Sequence, residues 1–353
     1  MNEVAKVPRR RRRAQSAPTV ADVARAAGVS SMTVSRVING EANVVEATRE
    51  KVRDAVRLLG YVPNPAARSL AGGRQCRIAL LHSNPSAAYL SEFLVGTLEE
   101  ASATDAQLVA ERCDGSESAK ALVARLKAHR IDAVLLPPPL CDDAALCEAL
   151  RASAMPMVQI ATGRPVDFAH AVTIDDEGAA HAMTRHLIGR GHRRIGFISG
   201  NANQTASHLR RRGYERALAE AGIEVDPELV VEGDFTYRGG LAAAEALLAC
   251  EPTPSAIFAS NDDMAAAASA VAHRHRLEVP RDISIVGYDD TPIATTVWPE
   301  LTTIRQPIQD MARLGTRLLI EAVQHRRAGD GTAVRHERLD FEFVARASDA
   351  DRC

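Results

Sequence analysis

Aromatic residues are scarce in this chain: its 353 residues include seven Phe, five Tyr and a single Trp. A core with so few rings rests on Ala, Val, Leu and Ile, and a hydrophobic content of 46% is enough to build one. There are six cysteines, at 76, 113, 141, 147, 250 and 353, and none forms a CxxC pair. That scatter offers no zinc site and no disulfide framework, and it suits a reducing compartment. No run approaches the ~18 apolar residues that a membrane span requires. The basic N-terminus lacks the apolar stretch of a signal peptide. The motifs GxSxG, GxxxxGKS/T, HExxH and GxGxxG are absent, which argues against the chemistries they carry.

What is present is unevenly placed. The length suggests two or three units. Residues 1–74 carry 14 Lys/Arg against 6 Asp/Glu, a net of +8, and the remainder carries 29 against 39, a net of −10. A basic head on an acidic body implies that the head alone meets a polyanion. The alternative is an accident of composition. Residues 1–18, "MNEVAKVPRRRRRAQSAP", read as a disordered tail because Arg9 to Arg13 repel one another and have nothing apolar to pack on. Two readings of that run stay open: sequence-independent attraction to phosphates, or simple solvation.

From Thr19 the pattern becomes helical. Val20, Val23, Ala24 and Ala27 fall on one face, Thr19 is a natural N-cap, and Gly28 permits a left-handed turn. Ser30 can cap a second helix whose Val34, Val37 and Ile38 turn inward, and Asn39-Gly40 ends it. A third helix spans roughly Glu46 to Leu59, and a helix-capable piece, Ala66 to Ala71, runs into the linker Gly72-Gly73. Helix, tight turn and helix make a helix-turn-helix, whose second helix offers its N-terminal residues to the major groove. Ser31, Met32, Thr33, Ser35 and Arg36 are the outward residues of that helix. Arg36 can donate two hydrogen bonds to a guanine edge, while Thr33 and Ser35 can reach phosphate. The bland alternative is an ordinary three-helix unit.

Beyond Arg77 apolar strand runs alternate with helical stretches: "RIALLHS", "AQLVAERC", "IDAVLLPP", "PMVQIA", "HAVTID", "RRIGFISG", "ELVVEGDF", "SAIFASN" and "DISIVGYDD". This alternation predicts parallel sheets with helices on both faces, and so many units call for two Rossmann-like lobes. Such lobes bind ligands at the carboxyl ends of their strands. Those ends deliver His82, Ser83, Asn84, Asp175, Asn261, Asp262 and Asp289 toward one cleft. Carboxylates and amides suit a polyol. Arg210, read as opening a helix, can donate a fork of hydrogen bonds, and Tyr89 and Phe235 can lie against a ring.

The stretch "TVADVARAAGVSSMTVSRVING", continuing through "ATREKVRDAVRLLGYVPNPAARSLAGG", resembles the head of the LacI–GalR family of bacterial transcription regulators, unbroken from Thr19 to Gly73. "AVTIDDEGAAHAMTRHLIGRGHRRIGFISG", "SHLRRRGYERALAEAGI", "AIFASNDDMAAAA" and "VPRDISIVGYDDTPIATTVWPELTTIRQP" are similar to the family's effector domain, and the likeness reaches about residue 322. The resemblance implies an all-α helix-turn-helix head and an α/β body of two lobes like the type I periplasmic binding proteins. The expected divisions are a basic tail at 1–18, a DNA-binding domain at 19–63, a hinge and linker at 64–75, an effector-binding and dimerisation domain at 76–346 and a tail at 347–353. It places Ser31, Met32 and Arg36 at base-reading positions, and Asn39, Asn43 and Thr48 at positions that touch the operator. Ala67 and Leu70 fall at minor-groove positions of a hinge helix, Leu70 as a wedge that kinks the duplex. Met32 departs from polar readout, so operator rules do not transfer at that position.

In the body the resemblance implies effector contacts from Arg210, Asn261 and Asp289, followed by Tyr89, Asp175, Phe235 and Gln306. Asp175 and Asp289 have an alternative reading as helix or turn caps. Asp262 and Asp290 read as structural, Tyr288 as core, Trp298 as dimer interface before ligand, and His192 as a helix-end contact rather than a base. The implied protein is a cytoplasmic homodimer that binds double-stranded operator DNA, represses carbohydrate-utilisation genes and is released by a sugar, with no cofactor and no metal. The ending "RLDFEFVARASDADRC" has no heptads for tetramer formation. A purine- or other small-molecule-responsive co-repressed regulator is the alternative. An enzyme and a periplasmic solute-binding protein are the rival classes; the first lacks a motif, and the second fits neither the basic head nor the missing signal peptide.

Overall fold

The computed structural model describes residues 18–38, 44–61, 75–104, 106–113, 115–331 and 333–352. The chain divides into two compact units, Met1–Gln75 and Cys76–Cys353. Asn39, Asn43, Ala67, Leu70 and the Arg9 to Arg13 run lie outside the described residues.

The head is three helices: α1 (Val20–Ala27), α2 (Ser31–Ile38) and α3 (Glu46–Leu59). Thr19 starts α1 with a capping box. Its hydroxyl accepts from the Asp22 amide at 3.3 Å, and the Asp22 carboxylate accepts from the Thr19 amide at 2.9 Å. Gly28, at φ 67°, closes the helix in the left-handed region that a side chain would resist. Ser30 caps α2 by accepting from the Thr33 amide at 3.1 Å. Val23, Ala24, Val34, Val37, Val52, Ala55 and Tyr61 form the head's own core.

The body has a six-stranded sheet, order β11-β5-β4-β3-β1-β2, and a four-stranded sheet, order β7-β6-β8-β9. The first comprises β1 (Arg77–His82), β2 (Gln107–Arg112), β3 (Ala133–Leu136), β4 (Met157–Ile160), β5 (His170–Thr173) and β11 (His336–Arg338); the second, β6 (Ile195–Ser199), β7 (Val230–Glu232), β8 (Ala256–Ala259) and β9 (Ser284–Val286). All pairings in both are parallel. The alternation within β1 shows why its sequence is a continuous apolar run. Ile78 and Leu80 enter one core cluster, and Ala79 and Leu81 enter another. Helices α4 (Ala87–Ala103) and α12 (Ile308–Ala328) pack together against the first of these, and α5 (Ala119–Ala128) and α6 (Ala144–Ala152) against the second. The second lobe repeats the arrangement with α7 (Asp176–Gly189) and α8 (Thr205–Glu220) paired, and α9 (Tyr237–Leu248) and α10 (Asp262–Arg274) paired.

The chain crosses between lobes three times, after Thr173, after Arg305 and after Arg338. A short antiparallel pair, β10 (Thr303–Arg305) with β12 (Glu342–Val344), and a one-turn helix, α11 (Ile293–Thr296), complete the second lobe. The final segment is docked on the body. Ser348 is fully buried and donates to the Ile285 carbonyl at 2.5 Å, and Asp349 meets His186 at 2.6 Å. His192 is a helix-end contact as expected, its amide donating to the Leu187 carbonyl at 3.1 Å at the end of α7, and its ring also faces Ser255 at 2.9 Å and the Ala350 carbonyl at 3.0 Å. Burial holds its pKa below the usual histidine range.

Candidate functional site

In each sheet the strand order reverses beside its first strand, between β1 and β3 and between β6 and β8. These reversals are the switch points at which open parallel sheets leave a crevice. The residues just beyond them, Asn84 and Pro138 in one lobe and Asn261 in the other, face a common cleft with Ser86, Tyr89, Ala161, Gln204, Ala206, Arg210, Phe235, Asp289 and Gln306. Free space at its centre is about 20 Å³, room for a water or two. A second, more open cavity of about 990 Å³ shares Asn84 with it and is lined also by His82, Ser83, Arg112 and Asn203 among others.

Arg210 is the one cation among the described residues of the inner cleft. It stands in the second turn of α8 rather than opening that helix, and it is 4% exposed. Nε donates to Asp176 at 2.8 Å, and Nη1 donates to the Ser260 carbonyl at 2.6 Å while lying 3.6 Å from Asp289. The guanidinium also covers the Tyr288 ring, with its carbon 3.7 Å from the centroid. Burial opposes its charge, but Asp176, Tyr288 and Asp289 together outweigh that and raise its pKa. Tyr288 is therefore core, as its sequence context suggests, and also the floor under Arg210; its hydroxyl donates to Asp176 at 2.9 Å.

Asp289 has φ 106° and Phe235 φ 63°, both in the left-handed region. For an aromatic residue that is a strained conformation, of the kind that collects at ligand sites. Phe235 is held by its carbonyl, which accepts from the Asn261 side chain at 3.0 Å. Asn261 in turn caps α10 by accepting from the Met264 amide. Asp289 accepts from Gln306 Nε2 at 2.6 Å, and burial lifts its carboxyl to about 7 despite the opposing pull of Arg210 and Gln306. Two buried polar atoms at the cleft are unpartnered: Tyr89 Oη and Gln306 Oε1. Burial also holds the Tyr89 phenol well above its ordinary pKa.

Asp175 is a correction. Its carboxylate caps α7, accepting from the Gly178 amide at 2.9 Å, and it pairs with Arg338 at 2.9 Å, so it does not line the cleft. Its neighbour Asp176 takes the inward role. Asp262 accepts from Thr303 and from the Thr291 amide, which is structural as expected. Asp290 pairs with Arg305 and Arg346, and Trp298 is 81% exposed. Ser86, Pro138, Ala161, Gln204 and Ala206 were not singled out in the sequence; their nearness is a product of the tertiary fold.

On the head, Ser31, Met32 and Arg36 are exposed along α2, and Ser35 is half-buried. Thr33 is half-buried and shares a 2.9 Å hydrogen bond with Ser30, so its hydroxyl already has a local partner. Thr48 is half-buried in the first turn of α3. No helix of the described residues is long and apolar enough to cross a membrane.

A helix-turn-helix head joined to a two-lobed body with an interlobe cleft defines a class: bacterial regulators built on a periplasmic-binding-protein-like domain. Residues 19–64 match the family described as bacterial regulatory proteins, lacI family, and residues 184–348 match the periplasmic binding protein-like domain. Catabolite control protein A of Priestia megaterium is 33% identical over 325 residues, 92% of this chain and 98% of that protein. The structure of the transcriptional regulator CelR–cellobiose complex superposes with TM-score 0.71 at 34% identity, covering 94% of this chain and 99% of that one. The lac repressor dimer bound to operator and the anti-inducer ONPF gives TM-score 0.76 at 28% identity, covering 95% and 100%. The chain belongs to the lacI family of bacterial regulatory proteins.

Proposed function

We propose that this chain is a cytoplasmic, homodimeric transcription repressor, without catalytic activity, whose cleft takes an uncharged sugar that releases it from operator DNA. One observation carries the choice of effector. Arg210 is already matched by Asp176 and Asp289, so among the described residues no cation of the inner cleft is left for an anionic ligand, while Tyr89 Oη and Gln306 Oε1 await neutral partners. A buried polar group without a partner costs about 1–3 kcal/mol, which a sugar hydroxyl recovers. The CelR–cellobiose complex supports the same class of ligand. Arg210, Asn261, Asp289, Tyr89, Phe235 and Gln306 are the proposed contacts. The cleft centre is too small for a sugar ring, so the lobes part to admit one and close around it.

In the head, Ser31, Met32 and Arg36 read bases, with Met32 offering only apolar contact, and Thr33, Ser35, Asn39, Asn43 and Thr48 fix the register. Ala67 and Leu70 enter the minor groove. The operating units are the head at 19–63, the hinge at 64–75 and the body from residue 76. An effector shifts operator affinity only if it binds the released form better than the bound one.

The test begins with selection of operator sequences from a random library. A thermal-shift screen of neutral mono- and disaccharides, sugar phosphates and purines follows, and each hit is titrated into the operator complex. A neutral sugar is expected to stabilise the protein and weaken DNA binding. Saturation with every such hit at unchanged operator affinity, or a response to purines alone, would overturn the reading.

A further inference from the structure

Helix α8 carries Arg210 yet has no cap of its own. Its N-cap residue, Gln204, makes no side-chain capping bond, and its first turn holds no acidic residue. The missing acceptor comes from the other lobe. Asp142, in the turn between β3 and α6, accepts from the Thr205 amide at 2.7 Å through Oδ2, and the Thr205 hydroxyl lies 2.9 Å from both of its oxygens. Thr162 donates to Asp142 Oδ1 at 2.6 Å, and the Gly163 amide donates to the Thr205 hydroxyl at 2.5 Å. A carboxylate at a helix N-terminus meets both the free amides and the positive end of the helix dipole.

Apart from the contacts at Thr205, a bond across the cleft runs the other way. Ser86 caps α4, the helix that carries Tyr89, and its hydroxyl donates to Asp263 of α10 at 2.7 Å. Each bond therefore ends at the N-terminus of a helix bearing a cleft side chain. Neither can survive parting of the lobes.

We propose that Asp142 is a positioning residue of the cleft: a cap supplied across the lobes that completes the start of α8, and so fixes the cleft-lining Gln204 and Ala206, only when the lobes are closed. Closure and completion of this wall of the cleft then become one event. An open body has a frayed α8 start, and closing the lobes rebuilds it. The proposal concerns the body and stands whether or not the head binds DNA.

Hydrogen–deuterium exchange on the full chain tests it, comparing the parent with D142A and with the double variant D142A/Q204D. The second change gives α8 a cap of its own without restoring a bond between lobes. For D142A, exchange is expected to rise about tenfold or more both in the first turn of α8 and at Gly163 and Ser86. In the double variant the α8 amides are expected to regain protection while Gly163 and Ser86 stay fast. Should D142A fail to fold, the isosteric D142N replaces it in both comparisons and is read the same way. Unchanged exchange in the single variant overturns the proposal. So does recovery of all three segments in the double variant, which would make Asp142 a cap inside a rigid body.

Discussion

The guanidinium carbon of Arg210 lies 3.7 Å from the centre of the Tyr288 ring, and both side chains donate to the same oxygen of Asp176. One planar cation thus stacks on a ring, serves a buried carboxylate and reaches the Ser260 carbonyl. A lysine is a point charge on a flexible stem and cannot do all three. Arg210→Lys is expected to cost about 2–4 kcal/mol of stability, because Asp176 stays buried with a poorer partner. Urea unfolding of the two proteins checks this; a loss below ~0.5 kcal/mol would contradict it.

Asp289 gives a pH signature. Its unfolded carboxyl ionises near 3.8, whereas burial holds the folded one to about 7. Between those values the folded chain binds more protons than the unfolded one, so this group's contribution falls as pH rises and is gone above about 7. Asp289→Asn removes the titration. It is expected to flatten the decline of stability between pH 4 and pH 7, by a few kcal/mol across the window. Parallel stability–pH curves for the two proteins would rule the shift out.

Gly213 tests the packing that supports the cleft. A Cβ built there would sit 2.2 Å from the Glu177 carbonyl oxygen and 2.8 Å from the His181 amide, both backbone atoms of α7. Neither can swing aside, so α7 and α8 must separate. Gly213→Ala is expected to lower stability by about 1–3 kcal/mol with no change in the denaturant slope. A neutral or stabilising result would show that the helices have room to spare.

Arg36 tests the head. Arg36→Ala is expected to lose about 1–3 kcal/mol of discrimination at one base pair in each half-site. Binding titrations against operators varied one position at a time read this. Equal weakening on all sequences, random DNA included, would make Arg36 a phosphate contact.

Much of the architecture was legible because it is written in local signals. Thr19, Gly28 and Ser30 mark the head's helices by capping chemistry, and the runs at β1, β3 and β8 are apolar because both of their faces are covered. β10 and β11 read TIR and HER, with no apolar run to mark a strand. Within the cleft, Arg210, Asp289 and Gln306 came through the family likeness. Asp175 and Asp176 are adjacent carboxylates at a helix start. Which one caps and which one turns inward depends on how α7 meets α8, and no local pattern records that. Asp142 is the same case at longer range, since its partner is 63 residues away. The left-handed backbone at Phe235 is likewise imposed by its surroundings.

In the proposed function, cleft and head form one thermodynamic switch. Measuring both halves of the linkage tests it most directly: operator affinity with and without the sugar found by screening, and sugar affinity with and without operator. Linkage requires the two ratios to be equal. A common factor of about 5–150 is expected, with the sugar weakening operator binding and operator weakening sugar binding. A factor of one in both titrations, with the sugar bound, would contradict it.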